Sequence, residues 1–152
     1  RRRILDRRQV AGIAAFAQRL DRAAQELAGA CLRQHADKVH TCRPRDCAEL
    51  DRLIRELAVY EKLEEQKVGT PEALHAALFG ERPACEAIIA ERHGRAVGFA
   101  LFFTTFSTFL ARPGIYLEDV FVEPEHRGAG IGKAILRRLA ALAVERGCGR
   151  FE

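Results

Sequence analysis

An α/β (or α+β) fold built on a mixed sheet is what this 152-residue sequence predicts, and two observations predict it. Two apolar runs, 87–91 and 96–105, flank Arg92-His93-Gly94-Arg95, a β-hairpin signal that makes antiparallel strands. A third run, 115–122, leads through a glycine loop into a long amphipathic stretch, which makes a strand-loop-helix unit. At this length the chain is about one domain with a sizeable core.

The elements follow in order. Residues 9–34 read as an amphipathic helix, with Ile13, Phe16, Ala17, Leu20, Ala24, Leu27, Ala28 and Cys31 at helical spacing. Residues 1–36 are therefore expected to be a helical extension, or alternatively an organelle-targeting segment, ahead of a domain at 37–152. Residues 38–43 are short and partly β-branched, which suits a first strand closed by Pro44. Asp46 and Glu49 form a capping-box-like pair before the stripe Leu50, Leu53, Ile54 and Leu57. Thr70-Pro71-Glu72 starts a second helix that Gly80 stops. After the hairpin, Arg112-Pro113-Gly114 reads as loop, and Pro124 closes the strand 115–122. The last helix spans about 131–146, with Ile135, Leu136, Leu139, Leu142 and Ala143 as its buried face and Gly147 as its stop. Phe151 and Glu152 begin something extended.

Composition excludes several function classes. With 48% hydrophobic and 30% charged residues, and a longest apolar stretch of only 97–103, the sequence predicts a globular protein without a membrane span. Five cysteines without a C-x-x-C pair argue for free thiols in a reducing compartment, by default the cytoplasm, and against a zinc site. The net charge of +4 is concentrated at residues 1–36, where eight arginines face Asp6, Asp21 and Glu26. Beyond them no basic field marks a nucleic-acid partner. The sequence opens on Arg1, holds no methionine and stops at Glu152, so both ends are expected to be cut.

The chemistry centres on Arg127-Gly128-Ala129-Gly130-Ile131-Gly132. A P-loop would need Ser or Thr after Gly132-Lys133, where Ala134 stands, and a dinucleotide loop would need glycine at 133. What remains is Arg-x-x-Gly-x-Gly between a strand and a helix, a backbone cradle able to hold a pyrophosphate, with Arg127 adding a charge-assisted contact.

This loop resembles the acetyl-CoA signature of the GNAT acetyltransferases. Three stretches, "RLIRELAVYEKLEEQ" (52–66), "YLEDVFVEPEHRGAGIG" (116–132) and "RGCGRF" (146–151), resemble the spermidine/spermine acetyltransferase subgroup with its thialysine-acetylating relatives. The resemblance covers about 38–152 and implies the acyl-CoA N-acyltransferase fold and acetyl-CoA as co-substrate, with no metal. It implies that the strand residues Val120, Phe121 and Val122 hydrogen-bond the pantetheine arm through their backbone. The loop Arg127, Gly128, Ala129, Gly130, Ile131, Gly132 and Lys133 then holds the pyrophosphate. Tyr60, Glu61 and Glu118 match positions lining the amine site, and Asp119 is Glu118's neighbour in the same motif. Members of this subgroup are homodimers, so a homodimer acting on a small amine, with no membrane or nucleic-acid partner, is expected. The family's next strand has barely begun at Phe151, and the tyrosine that protonates the leaving thiolate lies beyond residue 152; Tyr116 does not match it. Negligible turnover by this chain alone is therefore expected.

Elementary chemistry agrees with the acids. An amine with a lysine-like pKa of about 10.4 is an ammonium at neutral pH and must lose a proton before attacking a thioester. Carboxylates at Glu61, Glu64, Glu65, Glu118 and Asp119 would hold such a cation and accept its proton, though Glu64 and Glu65 are ordinarily just solvated. Strand alternation sends Glu118 and Asp119 to opposite faces, and Glu118, with Tyr116 and Val120, is the favoured substrate face. Both acids stand as catalytic candidates. His126 reads as a loop histidine, and Phe99, Phe102, Phe103, Phe106 and Phe109 as core and site wall. Two rival readings remain: a catalytically inactive acetyl-CoA-binding fragment, and a module that binds through its basic tail.

Overall fold

A computed structural model describes residues 38–152. The helix expected at 9–34 and the division between 1–36 and 37–152 lie outside the described residues. Among the described residues, five strands follow the order β1-β2-β3-β4-β5, with β1-β2 and β2-β3 antiparallel and β4-β5 parallel, which makes the sheet mixed as expected. The described residues fall into a larger unit, up to Phe103 together with Leu117–Leu136, and a smaller one, Thr104–Tyr116 with Arg137–Glu152.

The larger unit begins with β1 (Lys38–Thr41), paired in register Val39↔Ala90 with β2 (Glu86–Arg92). β2 turns into β3 (Arg95–Ser107) through His93 and Gly94, at φ of 53° and 76°. Two consecutive positive-φ residues are what a two-residue turn matched to strand twist requires. Helix α1 (Cys47–Glu61) buries Leu50, Leu53 and Leu57 on a core with Phe99, Ile89 and Phe121. The capping box expected at Asp46 and Glu49 does not form. The Asp46 carboxylate instead accepts from the Arg43 backbone N–H at 2.8 Å and from Arg43 Nε at 3.2 Å, closing the preceding 3₁₀ turn. Helix α2 (Pro71–Phe79) is capped as expected: Thr70 Oγ1 accepts from the Ala73 N–H at 3.2 Å, and Gly80 ends it.

Helix α1 ends on a left-handed residue that is not glycine. The Leu63 N–H reaches the Ala58 carbonyl at 2.8 Å and the Lys62 N–H that of Val59 at 3.1 Å, with Lys62 at φ 60°. That is a Schellman motif in which a lysine takes the strained position, at a cost of about 1 kcal/mol. Tyr60 and Glu61 stand immediately before it.

In the smaller unit β4 (Arg112–Val122) starts three residues earlier than the sequence suggests, so Arg112-Pro113-Gly114 is strand, not loop. Pro113, which has no N–H to donate, bonds through its carbonyl, which accepts the Gly149 N–H at 2.8 Å. Gly114 is required by close approach: a Cβ there would meet Arg150 Cγ at 2.7 Å and Thr105 Oγ1 at 2.8 Å. β5 (Arg150–Phe151) pairs with Gly114 and Ile115. Helix α3 (Ile131–Glu145) ends in a second Schellman motif, with Gly147 at φ 64° and the Cys148 N–H on the Ala143 carbonyl at 2.9 Å. Leu139, Leu142 and Ala143 are buried as expected, and so is Ile135 in the larger unit; Leu136 is 41% exposed. One residue on from Ile135 is about 100° around the helix, which turns Leu136 off the buried stripe. Phe106 and Phe109 are exposed too, at 63% and 89%, whereas Phe99 and Phe102 are fully buried core.

Candidate active site

Every candidate site residue lies in the larger unit. The alternation expected along β4 is seen in its burial: Tyr116, Glu118 and Val120 are exposed, Asp119 is half-buried and Phe121 buried. Burial pushes the Asp119 carboxyl above its ordinary range, and the neighbouring carboxylates of Glu118 and Glu61 push it further the same way. The C-terminus of α1 and the middle of β4 thus bring three acids within electrostatic reach of one another. Such a cluster attracts a cation, and a carboxyl with a raised pKa accepts a proton closer to neutral pH than an ordinary aspartate does.

Beside the acids, an aromatic corner is formed by Tyr60 and Phe121, with ring centroids 6.3 Å apart. The Arg127 guanidinium lies over the Tyr60 ring at 4.2 Å and 5.7 Å from the Phe121 ring centre. Its Nε donates to the Val122 carbonyl at 2.9 Å. The arginine expected at a pyrophosphate is here folded onto the strand end and the aromatic corner.

The loop itself has the backbone geometry an anion cradle needs. Gly128 and Gly130 have φ of 80° and 76°, a region where side chains bring strain. Gly132 differs: its φ is not positive, and a Cβ there would meet only Val122 Cγ2 at 3.8 Å. Ile131 opens α3 with its side chain buried at 1% exposure, which anchors the helix start while Gly128 and Lys133 stay on the surface. The first N–H groups of α3 have no partner within the helix, and its dipole favours an anion there. These features fit a diphosphate group.

Sequence reasoning misses three buried residues that shape the packing of α1 and β4. Glu123 is fully buried, accepting from Arg52 Nη1 at 2.7 Å and from Arg95 Nη1 and Nη2 at 3.0 and 2.7 Å. Its backbone N–H donates to the Val97 carbonyl at 3.0 Å. One carboxylate therefore ties α1, β3 and the start of the loop together. Asp51, also buried, accepts from Arg55 Nε at 2.8 Å and Lys67 Nζ at 2.6 Å. Gly98 is the third: a Cβ would meet the Phe121 carbonyl at 2.8 Å and Val122 Cγ2 at 3.2 Å. Acids beside a loop look solvated in a sequence, and the only available signal was Gly98 inside an apolar run. Glu123, Glu125 and His126 could bring ligand atoms within 4.8 Å of one another. The Glu123 oxygens are already taken by the two guanidinium groups, and His126 Nε2 sits 3.5 Å from that same carboxylate.

Residues 50–152 match the acetyltransferase (GNAT) family model. The chain belongs to the GNAT family. It is 42% identical over 114 residues to a thialysine N-epsilon-acetyltransferase of Sus scrofa, covering 70% of this chain and 66% of that relative. It is 34% identical over 110 residues to spermidine/spermine N(1)-acetyltransferase-like protein 1 of Homo sapiens, covering 68% of this chain and 16% of that one. Among solved structures, a ribosomal-protein-alanine N-acetyltransferase from Brucella melitensis superposes with a TM-score of 0.63 at 25% identity, over 75% of this chain and 76% of that one. The mixed sheet and its helices are thus the GNAT fold. No helix among the described residues is long and apolar enough to cross a membrane.

Proposed function

We propose that this chain provides the acetyl-donor and amine sites of an N-acetyltransferase. It would transfer acetyl from acetyl-CoA directly to a primary amine of a small polyamine or thialysine-like substrate. The observation that carries this is Asp119, whose carboxyl is raised by its burial and further by Glu118 and Glu61, on the same strand that runs into the Arg127–Gly132 cradle. The family match and the names of the relatives support the amine class.

Each residue then has a role. Glu61 holds the substrate ammonium beside Tyr60, on the face of β4 that carries Phe121 and Asp119, and Asp119 accepts its proton, directly or through one water, so that the nitrogen presents a lone pair. Glu118, on the opposite face by alternation, adds negative charge to the cluster. Acetyl-CoA, when bound, supplies the thioester whose acetyl carbon forms the new C–N bond as the C–S bond breaks. The backbone of residues 120–122 orients the donor arm. The loop Gly128 to Lys133 and the start of α3 take the negative charge of the diphosphate. The same reading makes the protein a cytoplasmic homodimer without a membrane or nucleic-acid partner. Free Cys42, Cys47, Cys85 and Cys148 support a reducing compartment, and the subgroup resemblance supports the dimer.

Calorimetric titration with acetyl-CoA, beside a Gly130→Trp control, tests the donor site. Binding that the control abolishes supports it, and no binding to the folded chain refutes it. Release of coenzyme A thiol on adding thialysine or spermidine, assayed on the protein extended at its C-terminus, then separates an acetyltransferase from a protein that binds without turnover.

A further inference from the structure

The corner between Tyr60 and Phe121 has the chemistry that recognises an ammonium ion: an open aromatic face with Glu61 next in sequence and Asp119 coupled to it. In this structure a cation already sits there, and the protein itself provides it. The Arg127 guanidinium covers Tyr60 at 4.2 Å while its Nε takes the Val122 carbonyl at 2.9 Å. One side chain from the anion loop thereby covers both the amine-recognition face and a backbone acceptor on the strand proposed to hold the donor arm.

Resting on the function proposed above, we infer that Arg127 is a latch with two positions. In the free protein it stands in for the substrate ammonium on Tyr60 and keeps the Val122 carbonyl occupied. A diphosphate-bearing acyl carrier draws the guanidinium off into charge-assisted bonds, which are the stronger class of contact, and so uncovers the ammonium face and the carbonyl together. The amine site opens only when the donor is present, which keeps an acceptor from filling an unloaded site. By linkage, whatever stabilises Arg127 on Tyr60 must oppose donor binding by the same factor.

That gives a prediction of unusual sign. Tyr60→Leu removes the ring face from an exposed position and should tighten coenzyme A binding by about 2- to 5-fold, the range spanned by an exposed cation–π contact. Tyr60→Phe keeps the face and should bind as the wild type does. A Tyr60 that only lines the site would instead leave the affinity unchanged or weaken it on truncation to Leu, and either result overturns the latch.

A second readout needs no affinity change. The chain has two tyrosines, so in a ring-labelled Tyr116→Phe protein Tyr60 gives a single NMR signal. Saturating coenzyme A should move that signal toward its position in the free Arg127→Ala variant. Coenzyme A that binds without moving it overturns the latch alone, and coenzyme A that does not bind the wild type overturns both the latch and the proposed function.

Discussion

Replacing Glu123 by Gln removes one charge and almost no volume from a fully buried position, so it isolates the electrostatic contribution of the network that fixes the anion loop. The wild-type carboxylate accepts from Arg52 at 2.7 Å and twice from Arg95, at 3.0 and 2.7 Å. Breaking a buried ion pair from one side costs about 3–5 kcal/mol, because the other charge is left uncompensated. Two features reduce that here. Arg52 keeps Glu49, Glu56 and the Ala96 carbonyl, and the Arg95 side chain is 52% exposed and can turn to water. The expected loss is therefore about 2–3 kcal/mol, at or just below the lower end of that range. For a domain of this size that lowers Tm by roughly 4–12 °C. Urea unfolding monitored by circular dichroism, with an unchanged m-value, measures it. Glu49→Gln, which removes an exposed member of the same network, should cost about 0.5 kcal/mol or less. Equal losses for the two variants, or a loss under about 0.5 kcal/mol for Glu123→Gln, would refute the reasoning.

Three further outcomes follow from the same geometry. Gly98→Ala puts a methyl 2.8 Å from the Phe121 carbonyl, backbone that cannot swing aside, so stability should fall by about 1–3 kcal/mol and acetyl-CoA affinity with it, read by melting and calorimetry. Gly130→Ala strains a residue at φ 76°, at about 1–3 kcal/mol, whereas Gly132→Ala meets only an ordinary 3.8 Å contact and should melt within a degree or two of wild type. Asp119→Asn should stabilise the fold at neutral pH. The folded Asp119 carboxyl lies above its unfolded value of about 3.9, so the folded state binds more protons and wild-type stability declines as pH rises through that window. Melting from pH 4 to 8 should therefore show the Asn variant gaining on wild type as pH rises, and a constant or shrinking gap would count against the raised carboxyl. Asp51, whose burial would raise it but whose bonds to Lys67 and Arg55 hold it low, contributes in the opposite sense and loses its stabilisation as pH falls.

What the sequence makes legible divides along the range of the interactions. Thr70-Pro71, His93-Gly94 and Gly147 are recognised correctly because each signal and its partner lie within a few residues. The same applies to the alternation at 116–121. Asp46 fails as a cap although its partner is equally near, because two Arg43 donors outcompete the helix amides for one carboxylate. Pro113-Gly114 fails for a different reason. A proline and a glycine normally mark a turn, but here a distant N–H donor, Gly149, for the Pro113 carbonyl and the close Arg150 side chain beside Gly114 make them the right strand residues.

The candidate site shows the same division more sharply. The chemical groups that would touch ligands, the loop glycines and the acids of β4, form a contiguous motif, since a strand running into a helix places them by local geometry. The groups that set their alignment do not. Glu123 depends on Arg52, 71 residues away, and Arg95, 28 away, and each of these alone reads as an ordinary surface charge. Arg127 is legible as an anion ligand from its place in the motif, yet its actual partners, Tyr60 and the Val122 carbonyl, belong to α1 and β4. A motif therefore names the atoms that can react, while the state in which those atoms wait is decided by partners far along the chain. Tyr60 beneath the proposed latch, Gly98 against the strand end and the partners of the buried Glu123 carboxylate are where perturbing a distant residue, and not the motif, tests that alignment.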